Sequence, residues 1–151
     1  MKNSLAITLV FILSLLLVEE CKSEIPDVCV NNLINYNICD SAKEIQNEFA
    51  PQLPQQLSEN LFLRSVASVD NKVILNALLL YERSYLEQEL LSYGRSMDSI
   101  EKQMKNMTEN MMWTMQLTSD FIYLGGSVIF NYHFSNGEHY LTIEIDNCDG
   151  Y

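Results

Sequence analysis

The feature that most constrains this chain lies near its C-terminal end. Val128, Phe130, Tyr132 and Phe134 alternate with Ile129, Asn131 and His133, and a second alternating run follows Asn136-Gly137. Alternation is the period of a pleated strand, whose successive side chains point to opposite faces. Asn-Gly is the strongest short hairpin signal, because both residues tolerate the positive φ of a twisted two-residue turn. With Asn136-Gly137 as that turn, Ser135 pairs with Glu138, Phe134 with His139, Tyr132 with Leu141, Phe130 with Ile143 and Val128 with Ile145. One face of the ribbon is then almost wholly apolar, and the other carries Asn131, His133, Tyr140, Thr142, Glu144 and Asp146. A slip of one residue would exchange the faces, so the pattern specifies the register. Such a ribbon needs further strands and a cover for its apolar side.

The rest of the chain supplies both. Residues 24–40, with Pro26 and Asn31-Asn32, read as irregular. Ser41-Ala42-Lys43-Glu44 matches a capping box and predicts a helix from Ser41. Ile45 and Phe49 share its apolar face, Pro51 and Pro54 stop it, and Leu53 and Leu57 continue the contact as a short turn. Phe62–Val69 and Lys72–Tyr81 read as a second hairpin turning at Asp70-Asn71, where Leu78-Leu79-Leu80 predicts burial on both faces. From Ser84 to Leu124, Leu90, Met97, Met104 and Met111 recur every seven residues beside a second row of Leu86, Tyr93, Ile100 and Met107. That stripe predicts a long amphipathic helix packed on the strands rather than a coiled coil. Gly94 is a point of interruption, Asp98-Ser99-Ile100-Glu101 can cap a restart, and Gly125-Gly126 ends the helix. The expected fold class is α+β: an antiparallel sheet of about four strands (two hairpins), covered on one face by a long amphipathic helix and a shorter N-terminal helix.

The N-terminus reads as an address. Lys2 is followed by an apolar run from Leu5 to Val18 that Glu19 and Glu20 end abruptly. As a helix these residues reach about 21 Å, short of the ~30 Å hydrocarbon core. Residues 1–23 therefore read as a signal peptide, cleaved after Cys21-Lys22-Ser23, and residues 24–151 as a single α+β domain. Glu20 before Cys21 disfavours lipidation of that cysteine. The leader's two Lys and two Glu cancel, so the chain's net charge of −11 belongs wholly to the remainder. Such a charge argues against nucleic acid as a partner, since that binding begins with Lys and Arg on phosphates. Three cysteines survive the expected cleavage: Cys29, Cys39 and Cys148. An exported chain favours a disulfide. Cys29–Cys39 is the local option, while Cys148 joined to either would close a longer loop, and the odd thiol could link two copies. No spanning apolar run follows the leader, so no transmembrane segment is expected in the mature chain.

Catalytic signatures are scarce. The register above puts His139 beside Phe134 and His133 on the opposite face, where they cannot share a metal. No G-x-S-x-G, phosphate loop or C-x-x-C occurs, and the carboxylates are scattered. The expectation is a non-enzyme with no cofactor and no metal. The sharper oddity is that six of the seven methionines fall between Met97 and Met115. Met is a good gap filler for a core. A Met-rich face can also repack around a partner, which makes Met97, Met104, Met107 and Met111 candidate partner-binding residues. Thioether sulfur is moreover a soft copper ligand. The sequon Asn106-Met107-Thr108 lies mid-helix and reads as chance.

One overall pattern is familiar: Leu53-Pro54, a hairpin from Val66 to Tyr81, a helix ending in Gly, the strand Gly126-Ser127-Val128-Ile129-Phe130-Asn131-Tyr132, Gly137, and a near-terminal Cys148. It resembles small exported bacterial α+β proteins, and is similar to the α/β-type pilotins of type II secretion, which escort secretin subunits to the outer membrane. Two features depart from that pattern. Pilotins of this type are lipoproteins, and their helix carries a Cys bridged to the terminal one where Trp113 and Thr114 stand here. The resemblance implies a periplasmic, non-catalytic binding or escort protein with a protein partner. An immunity-type inhibitor of a basic toxin and a copper-handling protein are the alternatives that the charge and the methionines raise.

Overall fold

A computed structural model of the chain describes residues 28–31 and 36–147. The expected leader, Cys21 and Cys148 lie outside the described residues.

Val30–Asn31 (β1) and Tyr36–Asn37 (β2) form a short antiparallel pair. A Cys29–Cys39 disulfide ties it to the first helix, and Ile38 N–H donates to the Cys29 carbonyl at 2.9 Å. Of the pairings open to the three cysteines, the local one is thus formed. The first helix, α1, runs Ile38–Phe49. It starts earlier than the capping box predicts because Asn37 is extended and its Oδ1 accepts from the N–H groups of Cys39 and Asp40 at 3.1 and 3.2 Å. Ser41, the expected cap, is buried in the first turn with its hydroxyl on that of Tyr36. Ile45 is buried and Phe49 packs on the core, and the helix gives way to a 3₁₀ turn, Ala50–Gln52, at Pro51.

The sheet comprises Gln55–Ser58 (β3), Leu61–Val69 (β4), Lys72–Leu79 (β5), Ser127–His133 (β6) and His139–Ile145 (β7), in the order β3-β4-β5-β6-β7. The α+β class and both expected hairpins are present. β3 is an extra edge strand, too short and polar to stand out beside Pro54. Asp70 turns the first hairpin at φ 52°, with Val69 paired to Lys72. The central pairing, β5 with β6, is parallel rather than antiparallel. Parallel neighbours need a crossover of a dozen or more residues, and here it is the helical segment.

That segment is three helices rather than one: Arg83–Ser92 (α2), Met97–Thr114 (α3) and Gln116–Tyr123 (α4). At the first break Gly94 takes φ 65°, with Arg95 N–H on the Leu90 carbonyl (2.8 Å) and Gly94 N–H on that of Leu91 (3.1 Å), a Schellman ending. The restart is capped by Ser96, which accepts from Ser99 N–H, and not by Asp98. The second break is at Met115, where the Thr118 hydroxyl bonds the carbonyls of Met112 and Met115. α4 ends in a second Schellman motif: Gly125 has φ 98°, and Gly126 and Gly125 N–H donate to Phe121 and Ile122 carbonyls, each at 3.0 Å.

The core lies between one sheet face and the helices. Leu63, Val73, Leu75, Ala77, Leu79, Val128, Phe130, Tyr132, Ile143 and Ile145 meet Ile38, Ala42 and Ile45 of α1, Met112 of α3, and Phe121 and Ile122 of α4. None of the described helices is long and apolar enough to cross a membrane.

In the last hairpin Val128–Ile145, Phe130–Ile143 and Tyr132–Leu141 pair as the alternation predicts. The turn does not. Residues 135–137 form a three-residue loop, with Phe134 N–H on the Glu138 carbonyl (2.8 Å), Gly137 N–H on the Phe134 carbonyl (2.9 Å) and Gly137 at φ 85°. The register then shifts beyond Tyr132, so that His133 pairs with His139 and Tyr140 is the extra residue of a bulge. Tyr140 is therefore buried against Phe134, ring centres 4.8 Å apart, instead of lying on the polar face. His139 is exposed instead of sitting beside Phe134. Its ring centre is 5.5 Å from that of His133, correcting the expectation that the two are kept apart.

Candidate functional site

The methionine stripe divides. Met97, Met104 and Met111, on one seven-residue row of α3, are half-buried against the core, and Met112 beside them is 2% exposed. Met107 lies elsewhere on the helix and is 62% exposed. With Ser99, Lys102, Gln103, Asn106 and Asn110 it lines a shallow dish of about 360 Å³. The four candidate residues thus do not converge on one groove. Within the sequon Asn106 is exposed, whereas Thr108 is buried and its hydroxyl is held by the Met104 carbonyl (2.8 Å) and the Tyr132 hydroxyl (2.6 Å).

A second depression, of about 450 Å³, opens at the end of the sheet where β5 runs into α2. Leu80, Tyr81, Tyr85 and Ser84 line it with Asn60, Glu82 and Ser135. Three chain segments are pinned together here. Leu80 N–H donates to the Asn60 carbonyl (3.0 Å) and Ser135 N–H to the Tyr81 carbonyl (3.1 Å). Strand alternation turns Leu79 inward and leaves Leu80 51% exposed, so the expectation of burial on both faces fails at Leu80. One helical turn on, Tyr85 is 55% exposed with its ring centre 5.9 Å from that of Tyr81. Burial, then the neighbouring Tyr85, raises the Tyr81 phenol above its ordinary pKa.

The wall behind this depression is braced by Arg83. Its Nε donates to Glu138 Oε1 at 2.6 Å, and its guanidinium lies over the rings of Phe134 and Tyr140 at 5.1 and 5.9 Å. Two exposed apolar groups on a braced rim with hydroxyls around them suit an apolar side chain of a partner. The sequence signal for this patch was the third leucine of the Leu78-Leu79-Leu80 run, which by alternation must face away from Leu79. Among the described residues no group of three or more His, Cys, Asp or Glu is placed to hold a metal ion.

No protein-family model matches the chain, and no curated protein matches its sequence. Solved structures do match in shape. A candidate secreted protein of Pseudomonas aeruginosa superposes with a TM-score of 0.57 at 11% identity, covering 74% of this chain and 90% of that one. The pilotin EpsS of the Vibrio vulnificus type 2 secretion system superposes with a TM-score of 0.57 at 10% identity, covering 74% and 89%. The chain shares the pilotin fold. At such identities the likeness concerns the fold alone. Covering about nine-tenths of each neighbour, it extends to nearly the whole of their domains.

Proposed function

We propose that this chain is an exported, non-catalytic escort protein, an accessory of a bacterial secretion system that binds a protein partner. The observation that carries this reading is the pilotin fold, matched over 89% of EpsS. Three features support it. The Leu5–Val18 run after Lys2 has the form of an export signal. The Cys29–Cys39 disulfide suits an oxidising compartment outside the cytoplasm. The exposed Leu80 and Tyr85 offer an apolar foothold for a segment of the partner, and Met107 a second one on the outer side of α3.

Deletion of the gene in its own host tests the reading. The expected result is loss of secretin from the outer-membrane fraction and accumulation of secreted enzymes in the periplasm, both restored by the wild-type gene. A variant carrying Leu80→Glu and Tyr85→Glu should fold normally and fail to restore them. Unchanged secretin assembly in the deletion strain overturns the escort role. Full restoration by the double variant removes the sheet-end depression from it.

A further inference from the structure

The sheet face turned away from the helices carries an ordered polar row. Ser65 of β4, Asn76 of β5, Asn131 of β6 and Thr142 of β7 are successive cross-strand partners. The Asn76 amide donates to Ser65 Oγ (2.9 Å), the Asn131 amide to Asn76 Oδ1 (3.2 Å), and the Thr142 hydroxyl to Asn131 Oδ1 (2.7 Å). Thr142 Oγ1 lies 2.8 Å from His139 Nε2. The direction of that last bond follows from the orientations of the Asn76 and Asn131 amides. Thr142 has one hydroxyl proton and gives it to Asn131, so His139 Nε2 must be the donor. A neutral His139 therefore holds its proton on Nε2 and its lone pair on Nδ1. Metal-ligating imidazoles are held in this way, the far N–H on a polar partner and the near nitrogen presented to the ion.

The bulge at Tyr140 sets His133 beside this prepared ring. A divalent ion about 2.1 Å from one nitrogen of each imidazole lies about 3.2 Å from each ring centre, so an N–metal–N angle of about 110–120° requires centres about 5.2–5.6 Å apart. The observed separation is 5.5 Å, with the ring planes at 76°. His133 also lines an open depression of about 380 Å³ with Asn76, Leu78 and Gly137; Arg64 lines the same depression.

We propose that His133 and His139 form a two-histidine site for a borderline divalent transition ion, with water completing its coordination. Imidazole nitrogen suits nickel, copper and zinc and discriminates against calcium and magnesium, which take oxygen ligands.

The test is a calorimetric titration of the folded chain with Ni²⁺ at neutral pH, paired with nitrogen NMR of the histidine side chains. The expected result is one ion per chain, with His133→Gln and His139→Gln each weakening binding more than about tenfold. Thr142→Val, which keeps both imidazoles but frees His139, should weaken it by about tenfold. In the metal-free protein His139 should be the Nε2–H tautomer, and Ni²⁺ should broaden the signals of both rings first. Thermal melts verify that each variant is folded. Absence of binding by the wild type, titration of both glutamine variants like wild type, or an Nδ1–H tautomer at His139 overturns the site.

Discussion

Two tyrosines of one hairpin should respond in opposite directions to loss of their hydroxyls. The Tyr140 hydroxyl is buried with no hydrogen-bond partner among the described residues, while its ring packs on Phe134 and under Arg83. Burying a hydroxyl without a partner costs about 1–3 kcal/mol. Tyr140→Phe keeps the ring and removes that cost, so it should stabilise the domain by about 1–2 kcal/mol at neutral pH. Tyr132→Phe removes a buried bond to Thr108 and should destabilise by about 1 kcal/mol. A pH series gives an independent handle. Burial, assisted by the nearby Glu101 and Tyr81, pushes the Tyr140 phenol up to about 12. An unfolded tyrosine ionises near ~10, so the folded state favours the protonated form. The resulting contribution is complete below pH ~10 and declines as pH rises toward ~12; at pH ~11 the loss is about 1.4 kcal/mol. The advantage of Tyr140→Phe over wild type should therefore widen by about 1.4 kcal/mol between pH ~8 and ~11. Urea unfolding of the oxidised proteins at both pH values measures each number. A Tyr140→Phe protein less stable than wild type by about 1 kcal/mol or more would mean that the hydroxyl has a partner and would refute the reasoning. So would an advantage that stays constant with pH.

Other expectations follow from single contacts. Gly126→Ala puts a Cβ 2.4 Å from the ring of Phe121, which is 2% exposed and cannot retreat; a loss of about 2–3 kcal/mol should appear in urea unfolding. Reducing the Cys29–Cys39 bridge releases a short loop and should cost about 2–3 kcal/mol, read as the difference between oxidised and reduced midpoints. The hydrogen bond from Lys72, then that from Ser127, holds the Glu144 carboxyl below its ordinary pKa. Its contribution is present above the unfolded value of ~4.3 and is lost as pH falls through the lower folded value. The Lys72 and Glu144 side chains are 44% and 45% exposed, so Glu144→Gln should lower stability by less than about 1 kcal/mol at neutral pH. The difference from wild type should vanish in acid unfolding once the folded carboxyl is protonated.

What was legible in the sequence was whatever a local period encodes. The alternation from Val128 to Ile145 yielded three cross-strand pairs and the buried face, because a slipped strand would expose Phe130 and Ile143. Ile45 and Phe49 likewise marked the inner side of α1. The failures fall where two physical solutions compete over one or two residues. Asn136-Gly137 suits a two-residue turn, yet a lone left-handed Gly137 also closes a three-residue loop, and that single choice moved Tyr140 inward and brought His139 to His133. The seven-residue spacing of Met97, Met104 and Met111 was genuine, but spacing alone does not say whether a row faces a core or a groove. The parallel pairing of β5 with β6 has no local signature. It is a choice of neighbour made across the whole crossover, and hairpins announce themselves more loudly than crossovers do.

That pairing also determines which surfaces of the sheet stay open. A crossover between adjacent parallel strands lies on one side of the sheet, and here α2, α3 and α4 join α1 there to bury the core. Two unlike surfaces remain. One is the apolar rim at the end of β5, where chain reversal into α2 exposes Leu80 and Tyr85. The other is the open sheet face, where the Ser65–Asn76–Asn131–Thr142 row ends at His139, with His133 beside it. The surfaces share no lining residue except Ser135, which lines depressions on both sides and whose N–H is held by the Tyr81 carbonyl. Substitutions at Leu80 and Tyr85 should therefore leave Ni²⁺ binding unchanged, and substitutions at His133 and His139 should leave the proposed escort role unchanged. If one pair impairs both readouts while the fold is intact, the loop carrying Ser135 couples the two surfaces, and Ser135→Pro, which removes the N–H, should break that coupling.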